Sequence, residues 1–264
     1  MPQLFYTKEE VDSQLGQIAA LGNGFDQVMS FFRREHLRDA KRKEEYYPFI
    51  PFGSREAVTQ IIEACEVFRN YHSQDHYYSP SFLDVGCGIG NILVLAKGCG
   101  TSSTTGIEYN TTYSKVGLLK SMEMPKTEIF KPKNWTSGQM TTEKLVARYN
   151  ETCCYASRVL EGDAFNFKGY NAYDIVYYFC PINKTKLEVK LERLIEDSML
   201  VGSVLIANHK TDYRIRKDAR FKNYYDLPSH ELGENYKFLL ERIWLKVADG
   251  EAPAADVQIL RYEE

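Results

Sequence analysis

The residues best suited to chemistry lie between Phe82 and Asn91, in the stretch FLDVGCGIGN. An apolar approach ends in Asp84, and Gly86, Gly88 and Gly90 follow at alternate positions. A glycine has no Cβ, so the backbone there can take a positive φ or let a ligand come close. A phosphate, a nucleoside and a tight structural turn all compete for such a segment. The dinucleotide fingerprint G-x-G-x-x-G/A needs Gly or Ala where this chain has Asn91. No G-K-[ST] follows, so the segment is not a P-loop. Both departures disfavour a phosphate cradle and lower a nicotinamide or flavin reading. A purely structural turn seldom needs three alternating glycines.

Two further acids end stretches that read as strands. In TGIEYN, Glu108 is placed to accept the two hydroxyls of a ribose. In EGDAF, Asp163 is placed to meet an adenine amino group, with Ala164 offering a backbone N–H. Either acid alone is commonly just a helix cap or a turn. In this order they describe a nucleoside held by Gly86, Cys87, Gly88, Gly90 and Asn91, its ribose by one acid and its base by a third loop.

The elements that must position these residues follow from periodicity. SFLDVGC, TTGIEYN, SRVLEGDAF, YDIVYYF and GSVLIANH read as strands. GNILVLAKGC, TTYSKVGLLKSME, TTEKLVARYNETCCYA and KTKLEVKLERLIEDSM read as helices between them. Strand–helix alternation predicts an α/β fold with a doubly wound parallel sheet. Ahead of it, Val58, Ile61, Ile62, Cys65 and Phe68 share one face of a helix that Ser54 could cap. Residues 1–50 predict an N-terminal helical cap, and 51–264 the main domain, with Met124–Met140 as a loop insertion. The tail stretches YKFLLERIWLKV and DVQILRYEE predict an antiparallel hairpin at one sheet edge.

Composition sets outer bounds. The 264 residues carry a net charge of −3, so no global basic field holds nucleic acid. Basic stretches at Arg33–Lys43 and Arg214–Lys222 are the local exceptions. None of the six cysteines forms a C-x-x-C pair, which argues against a structural zinc site. That pattern fits a reducing compartment and a cytoplasmic location. No apolar run approaches the ~20 residues that span a bilayer, and the start MPQLFYTKEEVDSQ does not read as a signal peptide.

FLDVGCGIGN, TGIEYN, LEGDAF and YDIVYYFCPI together resemble successive motifs of the class I S-adenosylmethionine-dependent methyltransferases, over roughly Pro51 to His209. The resemblance implies a Rossmann-like seven-stranded sheet with a reversed final strand. It implies S-adenosylmethionine as cofactor and S-adenosylhomocysteine as product. It places Asp84 and Gly86 near the methionine part, Glu108 on the ribose, Asp163 at the adenine and Tyr109 on the adenine face. Tyr47, in the loop YYPFIPFGS, is a candidate to close over the cofactor.

The acceptor side is less specific. Base-amine methylases often carry [DNS]-P-P-[YFW] after the fourth strand, where this chain has Phe179-Cys180-Pro181-Ile182. YYPFIPFGSREAVTQIIEA and FCPINKTKLEVKLERL look similar to seven-strand protein lysine methyltransferases, the Dot1-like enzymes and those of ATP synthase subunit c. Tyr178, or its neighbour Tyr177, is the candidate to shape the acceptor pocket; packing is the alternative for both. His209 is a weaker base candidate. A protein lysine or a small molecule is expected as acceptor ahead of nucleic acid. A nicotinamide oxidoreductase and a catalytically silent, partner-binding domain remain as rivals.

Overall fold

The computed structural model describes residues 54–73, 78–88, 90–109, 157–179, 181–182, 185–208, 214–227 and 237–250. The predicted N-terminal cap with Tyr47, the Met124–Met140 insertion, the helices expected at 111–123 and 141–156, Cys180, His209 and the tail strand at 256–264 lie outside those residues.

A helix, α1 (Ser54–Tyr71), precedes the first strand, β1 (Phe82–Val85). Next come α2 (Asn91–Gly98), β2 (Thr104–Glu108), β3 (Ser157–Glu161) and β4 (Ile175–Phe179). The chain continues through α3 (Thr185–Ser198), β5 (Val204–Asn208), β6 (Phe221–Asn223), the short α4 (Lys237–Leu240) and β7 (Ile243–Lys246). The strands form one seven-stranded sheet in the order β3-β2-β1-β4-β5-β7-β6. β1 pairs in parallel with β2 and β4, β2 with β3, and β4 with β5. Of the described strands only β7 is reversed, running antiparallel to both β5 and β6. The fold is therefore α/β with a seven-stranded sheet and a reversed C-terminal strand, as the sequence resemblance implied.

Helices cover both faces, so the central strands are buried on both sides and read as continuous apolar runs. Alternation sorts their side chains. Phe82, Ile175, Tyr177, Val204 and Ile206 pack with Val58, Ile61, Cys65 and Phe68 of α1 and with Leu93 of α2. Leu83, Val85, Val176, Tyr178, Leu205 and Ala207 pack on the other face with Leu191 and Ile195 of α3. Each fully buried Ile or Leu here contributes ~1.5–3 kcal/mol. Among the described residues, no helix is long and apolar enough to cross a membrane.

The C-terminal edge differs from the expected hairpin. The stretch read as one long strand splits into α4 and β7. Leu239 and Leu240 are buried, and the Leu239 carbonyl accepts from the Gln60 side chain of α1, so tertiary packing turns the segment helical. The strand lying outside β7 is β6, which pairs Phe221 with Lys246 and Asn223 with Trp244.

Polar contacts fasten this edge. Arg214 reaches Glu196 at 2.9 Å and Glu192 at 3.4 Å, both carboxylates buried on α3. Arg220 grips Asp218 through Nε and Nη2 and reaches Asp197 at 2.8 Å. The Arg214–Lys222 stretch thus commits two of its arginines to the protein's own carboxylates. Burial pushes the Glu196 carboxyl up to about 7, against the pull of Arg214. A folded-state value above the ordinary 4.5 means the fold favours the protonated form. That contribution is whole below the ordinary value and is lost as pH rises through about 7. Glu196→Gln should therefore lose less stability than the wild type between about pH 5 and about pH 8, by on the order of 1–2 kcal/mol. Urea unfolding at the two pH values checks this, and equal losses in both proteins would contradict it.

Candidate functional site

In an open α/β sheet the ligand crevice lies beyond the carboxyl ends of the strands. The ends of β1, β2, β3 and β4 meet there, and β1 is flanked by β2 and β4. Its exit is the glycine turn. Gly86, Gly88 and Gly90 have φ of 78°, 55° and 85°, the left-handed region that side-chain-bearing residues rarely adopt. The Gly86 and Cys87 amides both donate to the Ile107 carbonyl, and the Gly90 amide donates to that of Cys87. Gly90 then caps α2, which begins at the buried Asn91.

Sterics close in on this turn from two sides. A Cβ on Gly86 would stand 2.5 Å from Cβ of Pro181, in the segment that follows β4. A Cβ on Gly106, in the middle of β2, would stand 2.3 Å from the Cys87 sulfur. The Cys87 side chain therefore packs down on β2, and its thiol is pushed well above its ordinary range by burial and by Asp84 and Glu108. That leaves Cys87 its backbone, not a thiolate, to offer a ligand. The sequence did not single out Gly106, and it marked Pro181 only as part of the acceptor-side segment, not as a neighbour of Gly86. A lone glycine inside a strand pattern was the available signal for the first, because it marks a close approach.

Two carboxylates sit under the turn. Oε2 of Glu108 accepts from the Gly88 amide at 2.7 Å, which ties the end of β2 to the turn. Asp84 is buried, and its Oδ2 has no hydrogen-bond partner among the described residues. Burial, then the nearby charge of Glu108, holds the Asp84 carboxyl well above the usual range. Tyr109, just beyond Glu108, is half exposed.

The third loop follows β3. Asp163 accepts from the Phe165 amide at 2.9 Å and so caps a short 3-10 turn at Ala164–Asn166. The Ala164 carbonyl accepts from the Tyr170 hydroxyl at 2.7 Å, which pins the turn to the core. The backbone continues this layer from β2, since the Gly162 amide donates to the Glu108 carbonyl.

Tyr177 and Tyr178 are both buried, on opposite faces of β4. Tyr178 stands level with Val85 and Ala207 within the α3-side core. Tyr177 stands level with Asp84. At the end of β5, Asn208 exchanges two hydrogen bonds with Gln60 of α1, at 2.8 and 2.9 Å. This amide pair was not visible in the sequence, since its members lie 148 residues apart.

No family model matches the chain, and no curated protein does. Solved structures give distant likenesses. An RNA methyltransferase from Salinibacter ruber, bound to S-adenosyl-L-homocysteine, is 15% identical over 59% of this chain and 75% of its own, with a TM-score of 0.36. The putative methyltransferase YhhF from Escherichia coli is 15% identical over 76% of this chain and 90% of its own, with a TM-score of 0.42. A putative SAM-dependent methyltransferase from Streptococcus mutans is 12% identical over 75% of this chain and 48% of its own, at 0.39.

The packing of the turn is directly testable. Gly106→Ala should cost ~1–3 kcal/mol by overpacking against Cys87 and Leu93. Adding Cys87→Ala should recover part of that loss, because the sulfur is the nearest atom met. Urea unfolding of both single variants and the double variant measures the coupling; strict additivity would show that the two positions do not share space.

Proposed function

We propose that the chain is an S-adenosylmethionine-dependent methyltransferase. The observation that carries this reading is the left-handed glycine turn at the end of β1, with the Glu108 carboxylate tied to its Gly88 amide. The turn presents backbone rather than side chain to a ligand, and the acid closes the adjacent strand end, as a nucleoside requires. One feature fits the cofactor: a buried carboxyl at Asp84 with an unpartnered oxygen among the described residues.

In this reading Gly86, Cys87, Gly88, Gly90 and Asn91 line the turn against the cofactor. Glu108 holds the ribose, Asp163 and the Ala164 amide hold the adenine, and Tyr109 covers its face. Asp84 serves the methionine end; Tyr47, the sequence's candidate to cover the cofactor, lies outside the described residues. When bound, S-adenosylmethionine supplies an electrophilic methyl carbon on a sulfonium. The protein's share is to align the acceptor in line with that carbon and to exclude water. Pro181 lies against Gly86, which brings the segment after β4 to the place where an acceptor would meet the cofactor. Tyr178, packed behind that strand end, supports the wall of the acceptor pocket. The sequence likeness of this segment to seven-strand lysine methyltransferases favours a protein lysine as acceptor. The commitment of Arg214 and Arg220 to internal carboxylates weighs against nucleic acid.

Calorimetric titration with S-adenosylmethionine, S-adenosylhomocysteine and NAD is the test. The first two should bind, and Glu108→Ala should weaken both by at least roughly tenfold, about 1.4 kcal/mol. NAD binding in their place would return the turn to the dinucleotide reading. Cofactor binding without methylation of any lysine-bearing or small-molecule acceptor would favour a silent binding domain.

A further inference from the structure

A buried carboxylate normally has a cation or several donors to hold its charge. Asp84 lacks that provision at Oδ2 among the described residues, while its neighbour Glu108 takes the Gly88 amide. Asp84 is the penultimate residue of β1 and Glu108 the last of the adjacent parallel β2, with Gly106 of β2 and Tyr177 of β4 level with Asp84. Among the described residues, the groups that bear on its charge are Glu108 across the strand pair and the Cys87 thiol in the same turn. Neither is a cation. Two negative charges on neighbouring strands of a buried site repel, and one proton between them removes the repulsion. Because one oxygen of Glu108 already has a donor, the proton belongs on Asp84.

We propose that Asp84 carries a proton in the ligand-free protein and releases it when a cationic ligand seats at the glycine turn. The proposal rests on the functional reading above for the identity of that ligand, whose methionine end carries an ammonium and a sulfonium. A cation near the turn supplies the opposite charge that Asp84 lacks, so its carboxyl ionises and the proton passes to solvent. Binding would then be linked to pH at the site itself. Below the ligand-free titration of Asp84, affinity rises with pH, because binding expels a proton. Above it, affinity is level.

Two measurements on the whole chain test this. Infrared difference spectra of ligand-free wild type and Asp84→Asn at neutral pH should show a protonated carboxylic C=O band that only the wild type has. Its absence would overturn the proposal. Titration calorimetry with S-adenosylmethionine in phosphate and in Tris, whose ionisation enthalpies differ, should then give release of about one proton by the wild type and none by Asp84→Asn. Wild-type affinity should gain close to tenfold per pH unit over the range where the infrared band persists. Binding with no buffer dependence, or with the same dependence in the variant, would overturn the proposal. If the band is present and the cofactor does not bind, the coupling falls because the functional reading fell, and the infrared result marks that case. The pH series needs only wild-type protein, and a flat affinity over that range would overturn the proposal even if Asp84→Asn folds poorly.

Discussion

The hydrogen bond from the Gly88 amide to Glu108 holds together what the rest of the site depends on. A chain leaving β1 through three left-handed residues gives up the regular backbone bonding of both strand and helix. Its amides must find acceptors elsewhere. Ile107 accepts two of them, Cys87 accepts one, and Glu108 accepts the one at the middle of the turn. All the donors from the turn's first half therefore end on β2. The parallel pairing of β1 with β2 is thus a condition for the turn's shape as well as part of the sheet.

Sterics reinforce the same dependence. Gly106 lets the Cys87 side chain drop onto β2, and Gly86 leaves room for Pro181. The turn is clamped between the strands on both sides of β1, each contributing contacts that a single methyl group would disturb. Farther out, the Gln60–Asn208 amide pair ties α1 to the end of β5, and Gln60 also reaches the Leu239 carbonyl of α4. A buried amide pair whose members satisfy each other fixes the relative height of a helix and a strand more sharply than apolar contact does. The rim of the sheet is accordingly held by directional bonds, and the interior by non-directional packing.

That division explains what could be read from the sequence. The five parallel strands were legible because strands covered on both faces are short apolar runs, and YDIVYYF or GSVLIANH has few other solutions. The glycine turn was legible because its residues are consecutive. The reversed edge was harder. β6 has only three residues, with one buried and one exposed side chain, and it follows the charged run RIRKDAR. That run reads as a basic surface until Glu192, Glu196 and Asp197 are seen on the facing helix. The YKFLL segment has strand-like composition, and its helical turn is imposed by α1 through contacts 179 residues away. Pairings at that distance leave no local periodicity. For the same reason the role of Gly106 and the approach of Pro181 to Gly86 stayed hidden although the turn they confine did not.

The contrast between two buried aspartates separates the framework from the site. Burial pushes the Asp218 carboxyl up, but the hydrogen bonds and charge of Arg220, with the charge of Arg214, bring it below its ordinary value. It is an ion-paired group whose charge is already neutralised, and it has nothing left to give a ligand. Asp84 is as deeply buried, yet both influences on it, burial and Glu108, act in the same upward direction. A fold selected only for stability would place an apolar residue there, as at Val85 or Leu83 beside it, because an unpaired acid in the core costs more than it returns. Perturbed acids gather where function needs them, at strand ends and in clefts. The fold supplies arginines to Glu192, Glu196 and Asp218 and a backbone amide to Glu108, whereas Asp84 Oδ2, two residues ahead of the glycine turn, has no such partner among the described residues.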